Sequence, residues 1–232
     1  MDHTLSVPEP ALRLLVERGF DATSVDQLAE VLGMSRSTFF RRYGSKEDMV
    51  FSDMEAVIDA VQRQLSASGS GIAEKVSAAA LSVFDHHTSR PKASELRFRL
   101  LHEVPALRDR ELVSTHRYER AFRHGLRASL GVGPGLGSRQ LGVTAYAAAV
   151  VAVHNAFLRS WLSDRDDTLR GRLATELGQL AGIFLPRLEG SGTEPDAAPS
   201  GRVVVAIAPS GSGTDDVLEA VRRALRTDSS SA

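Results

Sequence analysis

Between Val31 and Lys46 the chain carries four cations, Arg36, Arg41, Arg42 and Lys46, and no acidic residue. Residues 1–50 as a whole hold six basic and eight acidic side chains, so positive charge is concentrated on the stretch SRSTFFRRYGSK. Guanidinium groups pair bidentately with guanine O6 and N7, and arginines, lysines and hydroxyls hold backbone phosphates. The chemistry implied is non-covalent recognition of double-stranded DNA. The formal net charge of −1 supplies no global field to attract a polyanion, so the local cluster must do so. The same four charges also fit a plain solvated helix face.

Other chemistry is poorly represented. There is no cysteine, which excludes disulfides, thiolate metal sites and a cysteine nucleophile. His3, His86, His87, His102, His116, His124 and His154 show no HExxH or other tight metal spacing. No nucleophile elbow is present. The expectation is a protein that is not an enzyme and needs no cofactor or metal. VVVAIAPSGSGTDD (203–216) has the look of a strand and a glycine-rich loop of the kind that cradles phosphate. It lacks the lysine of a P-loop, and an appendage packed on the rest of the chain is the preferred reading.

The elements that position the cationic stretch are short helices. Pro8 to Arg18 reads as an amphipathic helix ended by Gly19. Ser24 with Gln27 has capping-box spacing and opens a second helix, with Val25, Leu28, Ala29 and Leu32 inward and Gly33 as its stop. Ser35 opens a third helix to about Arg42. Ser45 caps a long fourth helix with Met49, Val50, Val57, Ile58 and Val61 on its apolar side. Two short helices joined by a glycine-containing turn have the anatomy of a helix-turn-helix, whose second helix enters the major groove. SASGSG (66–71) reads as a break between these four helices and the remainder.

Further helices are expected over 72–88, 93–102, 106–130, 138–162 and 166–188. Gln140 to Leu158 has no Asp, Glu, Lys or Arg over 19 residues. That length meets the threshold for a membrane span, but Gln140, Thr144, His154 and Asn155 favour a helix buried on all sides of a soluble bundle. Leu169, Leu173, Leu177, Leu180 and Phe184 form an apolar stripe. Residues 190–201 read as a linker, 203–208 as a short strand and 214–226 as a helix. No secretory signal is visible at the N-terminus, and the expected compartment is the cytoplasm, with no membrane partner.

ERGFDATSVDQLAEVLGMSRSTFFRRYGSKEDMV, residues 17–50, closely resembles the N-terminal domain of the TetR family of transcriptional repressors. The resemblance implies an all-α homodimer: an N-terminal three-helix helix-turn-helix head on a C-terminal helical ligand-binding and dimerisation bundle, here followed by a short strand-helix tail. The corresponding divisions are 1–45, 46–189, a linker at 190–201 and an extension at 202–232. It also implies a palindromic operator and a small-molecule inducer. Carried over by position, the DNA contacts are Ser24, Val25, Arg36, Ser37, Thr38, Phe40, Arg42 and Lys46, with Tyr43 either core or a phosphate contact. Arg36 and Arg42 are the candidates for guanine readout. Three departures stand out. Phe40 replaces a usual tyrosine. SVPEP replaces the basic residues that often precede the first helix. Leu15 stands where phenylalanine is common.

The C-terminal half is less specific. Residues 90–127 hold ten Arg or Lys and five acids, which suits an anionic ligand or a solvated face with intrahelical ion pairs. ELRFRLLHEVPALRDRELV (95–113) and AFLRSWL (156–162) resemble TetR regulators with an acyl-CoA-like ligand domain. That resemblance implies an apolar tunnel with walls from Phe84, Phe98, Leu101, Phe122, Phe157 and Trp161. Arg97 and Arg99 would meet an anionic head group, as of an acyl-CoA or fatty acid. His154 and Asn155 are either satisfied internally or touch the ligand. Two readings from other classes remain: an architectural protein that coats DNA without sequence choice, and a helical ligand-binding protein or enzyme with a vestigial DNA head.

Overall fold

The computed structural model describes residues 7–190, and these form ten helices and no strand. They are α1 (Glu9–Arg18), α2 (Val25–Val31), α3 (Arg36–Tyr43), α4 (Lys46–Val50), α5 (Met54–Ser66), α6 (Ile72–Thr88), α7 (Pro91–Glu103), α8 (Pro105–Leu130), α9 (Ser138–Asp164) and α10 (Leu169–Glu189). The strand and helix expected at 203–208 and 214–226 lie outside the described residues.

Two apolar cores divide the chain. The head core joins Leu12, Leu15, Leu28, Phe39, Met49 and Val50 of the first four helices. It also takes Ala93, Leu96 and Leu100 of α7 and Leu107 at the start of α8. The bundle core is built by α5, α6, α8, α9 and α10 around Val61, Phe84, Phe122, Leu126, Tyr146, Val150 and Leu173. Each fully buried leucine or phenylalanine contributes ~1.5–3 kcal/mol relative to exposure.

Three expectations change. The long fourth helix is two helices: the chain turns at residues 51–53, where the Phe51 N–H donates to Asp48 O and the Met54 N–H to Phe51 O. This turn places Phe51 in the head core and buries Asp53 against α6 and α7. The glycine-serine break at 66–71 lies within the bundle, between α5 and α6, which pack on each other. Phe51 still belongs to the head core and Val57 already to the bundle core, and α7 returns to pack on the head. Finally, α9 is not covered on all sides. Val143, Tyr146, Ala147, Val150, Val151, His154 and Trp161 are buried, while Leu141 and Ala152 are exposed and Ala145, Ala148 and Ala149 half-buried. By length and hydropathy α9 would suffice to cross a membrane. Its buried face instead belongs to the bundle core.

Two glycines set close helix approaches. A Cβ on Gly125 of α8 would lie 2.5 Å from Leu65 Cδ1 of α5, and one on Gly142 of α9 would lie 2.8 Å from Leu188 Cδ2 of α10. Any larger residue must push these pairs apart.

Candidate functional site

The head presents α3 on a scaffold in which α2, α3 and α4 each start on a capping serine. Ser24 caps α2 with the full reciprocal box: Gln27 N–H donates to Ser24 Oγ at 3.3 Å, and Ser24 N–H donates to Gln27 Oε1 at 2.9 Å. Ser35 caps α3 through the Thr38 N–H at 3.1 Å, and Ser45 caps α4 through the Asp48 N–H at 2.9 Å. Caps of this kind are worth ~1 kcal/mol each. Between α2 and α3 the chain reverses at Gly33, whose φ of +65° belongs to the left-handed region. Leu28, Ala29 and Phe39 are buried, with Leu32 and Met34 packed against them.

What α3 leaves exposed is cationic. Arg36, Ser37, Phe40, Arg41 and Arg42 are all exposed, and Thr38 and Val25 are half-buried. Arg36 donates to both Asp26 carboxylate oxygens at 3.0 and 2.9 Å, and its Cζ lies 5.3 Å from the Phe40 ring centroid. That pair is more than half exposed, so solvent leaves it a weak constraint. Tyr43 is core: it is buried and packs on Phe39 at 5.1 Å between ring centroids. Burial raises its hydroxyl pKa, with Arg42 opposing. Lys46 bonds inward at the head. Its Nζ donates to Phe20 O at 2.6 Å and to Thr23 O at 3.0 Å, and it sits 4.5 Å from the Phe20 ring centroid. Two of its three protons thus tie the α1–α2 connection to α4.

At the junction of the two cores lies a buried polar cluster. Asp53 accepts from Arg97 Nη1 at 2.9 Å on Oδ1 and faces His86 Nε2 at 2.8 Å on Oδ2. Arg97 Nη2 also meets His87 Nδ1 at 2.8 Å, so that nitrogen is the acceptor. Burial alone would raise the Asp53 carboxyl, but Arg97, His86 and His87 together hold it well below its ordinary value. Burial and then Arg97 push His87 well below the usual histidine range. Asp53, His86 and His87 bring three metal-ligand atoms within 4.8 Å of one another. The Arg97 guanidinium already serves as the cation there. The adjoining cavity, of about 10 Å³, has room for one water at most.

The residues expected around a ligand separate into three places. Phe84, Phe122, His154 and Trp161 are buried together in the bundle core, with half-buried Phe157 packed against it. Asn155 follows His154, accepting from its Nδ1 at 3.1 Å. Leu101 packs on the head core instead, and Phe98 meets His102 at a tilt, 4.2 Å between ring centroids. Arg99 is exposed, 4.0 Å from Glu103, and Arg97 belongs to the junction cluster. The reading of the sequence passed over Tyr118, Tyr146 and Asp53. Tyr118 is four residues before Phe122, and Tyr146 eight before His154, so each lies on its neighbour's helical face.

Residues 9–52 match the family described as bacterial regulatory proteins, tetR family. The helix-turn-helix head of this chain is thus similar to that family's over residues 9–52. Over 61 residues the chain is 33% identical to the HTH-type transcriptional regulator TcmR of Streptomyces glaucescens, a stretch covering 26% of this chain and 27% of that protein. The chain therefore matches about a quarter of the length of this relative. NalD of Pseudomonas aeruginosa, described as the secondary repressor of the MexAB-OprM multidrug efflux pump, superposes with a TM-score of 0.50 at 16% identity. That match covers 76% of this chain and 91% of NalD. The TetR-family regulator PfmR of Thermus thermophilus gives a TM-score of 0.48 at 20% identity, over 77% and 97% of the two chains. The likeness to NalD carries the fold: a helix-turn-helix head on an all-helical C-terminal domain.

Proposed function

We propose that this chain is a cytoplasmic, homodimeric transcriptional repressor that binds a palindromic operator and is released from it by a small apolar ligand. The observation that carries the DNA half is α3. It is a capped helix without a single acidic residue, and it exposes Arg36, Ser37, Phe40, Arg41 and Arg42 on a fixed two-helix support. Arg36 and Arg42 are the base-reading candidates. Ser24, Val25, Ser37, Thr38 and Phe40 flank them toward phosphate, and Lys46 has one proton left for the same purpose.

Support for a dimer comes from α10. Gly171, Gly178 and Gly182 are exposed, and a Cβ on any of them would meet nothing within 4 Å. Each such glycine costs a helix ~0.8–1 kcal/mol relative to alanine. No contact among the described residues explains them, whereas close approach of a second copy does. Exposed Ile183 and Leu141 and the half-covered face of α9 are apolar in keeping with that role. A twofold pair of heads reads two half-sites about one DNA turn apart.

For the ligand, Phe84, Phe122 and Trp161 supply apolar walls to a small molecule; the sequence alone suggests an acyl-CoA- or fatty-acid-like one, whose anionic group these walls do not match. An anionic head group would have to take Arg97 from Asp53 and His87. Ligand binding shifts the protein between DNA-competent and incompetent forms only by its difference in affinity for the two.

The test is selection of bound fragments from source DNA, followed by titration of the winner with wild type and with an Arg36→Ala/Arg42→Ala variant. A palindrome bound tightly by wild type and lost in the variant is the expected result. Uniform weak binding, equal in both proteins, would replace this reading with that of an architectural DNA-coating protein.

A further inference from the structure

Native interiors pair nearly all their buried polar atoms, so each unpaired one calls for a cause. Tyr118 Oη on α8 and His154 Nε2 on α9 are both buried without a partner among the described residues, and they belong to neighbouring rings. The Tyr118 and His154 ring centroids are 5.7 Å apart, those of Phe84 and His154 are 6.3 Å apart, and those of Tyr118 and Phe122 are 5.1 Å apart. All three pairs meet edge to face. His154 Nδ1–H donates to Asn155 Oδ1, which leaves Nε2 with its lone pair outward. Leaving such groups unmet costs ~1–3 kcal/mol each. Two orphans in one aromatic nest are a poor way to build a core and a good way to receive a polar group.

Resting on the reading of the bundle as a ligand domain, we propose that this nest between α8 and α9 binds an uncharged phenol-type molecule. Its hydroxyl donates to His154 Nε2 and accepts from the Tyr118 hydroxyl, and its ring lies among Phe84, Phe122 and the two polar rings. An anion fits poorly here. A carboxylate would set its lone pairs against that of Nε2, and burial holds the His154 pKa down to about 4, against protonation. Arg97 is held by Asp53 and His87, and Arg159 is exposed. The rings of the nest already pack edge to face on one another, so entry must part α8 from α9. Movement of α8 reaches the head directly, because Leu107 sits in the head core and Arg110 pairs with Asp48 of α4.

The experiment titrates the full-length wild type, Tyr118→Phe and His154→Leu with 4-pentylphenol and, separately, with decanoate. Fluorescence of Trp161, the sole tryptophan, gives the readout. Trp161 lies two turns beyond His154 on the same buried face of α9. Thermal unfolding of each free protein accompanies the titrations. We expect saturable binding of pentylphenol, weaker by ~5–10-fold in Tyr118→Phe and by ~10-fold or more in His154→Leu. Tyr118→Phe should nonetheless melt at the same or a higher temperature, because it removes an unpaired hydroxyl; a merely structural tyrosine would give the reverse. Equal affinity in all three proteins, no saturable response to pentylphenol, or preference for decanoate would overturn the proposal. The titration needs no DNA. Loss of the phenol site therefore leaves the repressor reading standing, and failure to select an operator leaves the phenol site standing.

Discussion

The head and the bundle treat their polar and apolar groups in opposite ways. In the head, every helix from α2 to α4 begins with a capping serine, and the Lys46 ammonium is used on two carbonyls. In the bundle, Tyr118, Tyr146 and His154 each bury an unpaired polar atom. Exposed Leu141 and Ile183 and three exposed helix glycines complete that contrast. Among the described residues the head ties its three short helices together from within one chain. The bundle leaves open the places where the second copy and the small molecule proposed above would bind. Stability and responsiveness are thus placed in different halves, with one ionic cluster between them.

Breaking that link should produce the largest effect. Arg97→Met leaves the buried Asp53 carboxylate without its cation and should cost ~3–5 kcal/mol in denaturant unfolding. The double variant Asp53→Asn/Arg97→Met should recover part of the loss. Acid should act next. His154 is held neutral, with its pKa lowered from 6.5 to about 4, so the unfolded chain binds the proton first. Its contribution is complete above pH 6.5 and is lost as pH falls toward 4, amounting to ~3 kcal/mol. His87 shifts in the same direction, while the Asp53 contribution is lost only at still lower pH. Melting temperature should therefore drop across this window in wild type and drop less in His154→Leu.

Smaller changes sharpen the comparison. Ile183→Glu, or Gly178→Leu, should weaken self-association ~10-fold or more by sedimentation while leaving the melt of each subunit's helices little changed. In the head, Ser24→Ala removes a complete capping box and should cost ~1 kcal/mol of unfolding free energy, with no effect on association. Asp26→Asn frees Arg36 from a surface pair worth well under ~1 kcal/mol. It should tighten operator binding a few-fold and steepen its salt dependence.

The head was legible because its signals are local. Serines three residues from their targets, glycines at stops and an unbroken cationic run are visible along the chain. The split at 51–53 was not, because what holds it is the pairing of Asp53 with Arg97, 44 residues away. For the same reason Arg97 looked like a free cation for an anionic ligand. The bundle nest was half visible: Phe84, Phe122, His154 and Trp161 were picked for their types. Tyr118 was missed because nothing in its neighbourhood shows that its hydroxyl lacks a partner. The placement of Leu101 on the head follows from the return of α7, a topological fact no periodicity contains.

Gly125 and Gly142 bear on how the bundle can yield. Each lets its helix lie directly on one neighbour, α8 on Leu65 of α5 and α9 on Leu188 of α10. Among the described residues no such glycine locks α8 to α9, the boundary lined by Tyr118 and His154. A molecule seated in the proposed nest should therefore widen the α8–α9 boundary before it disturbs either glycine contact. In the dimer proposed above, with its contacts on α9 and α10, such a wedge would pass through α8 to the head, turning a local opening into a change of span.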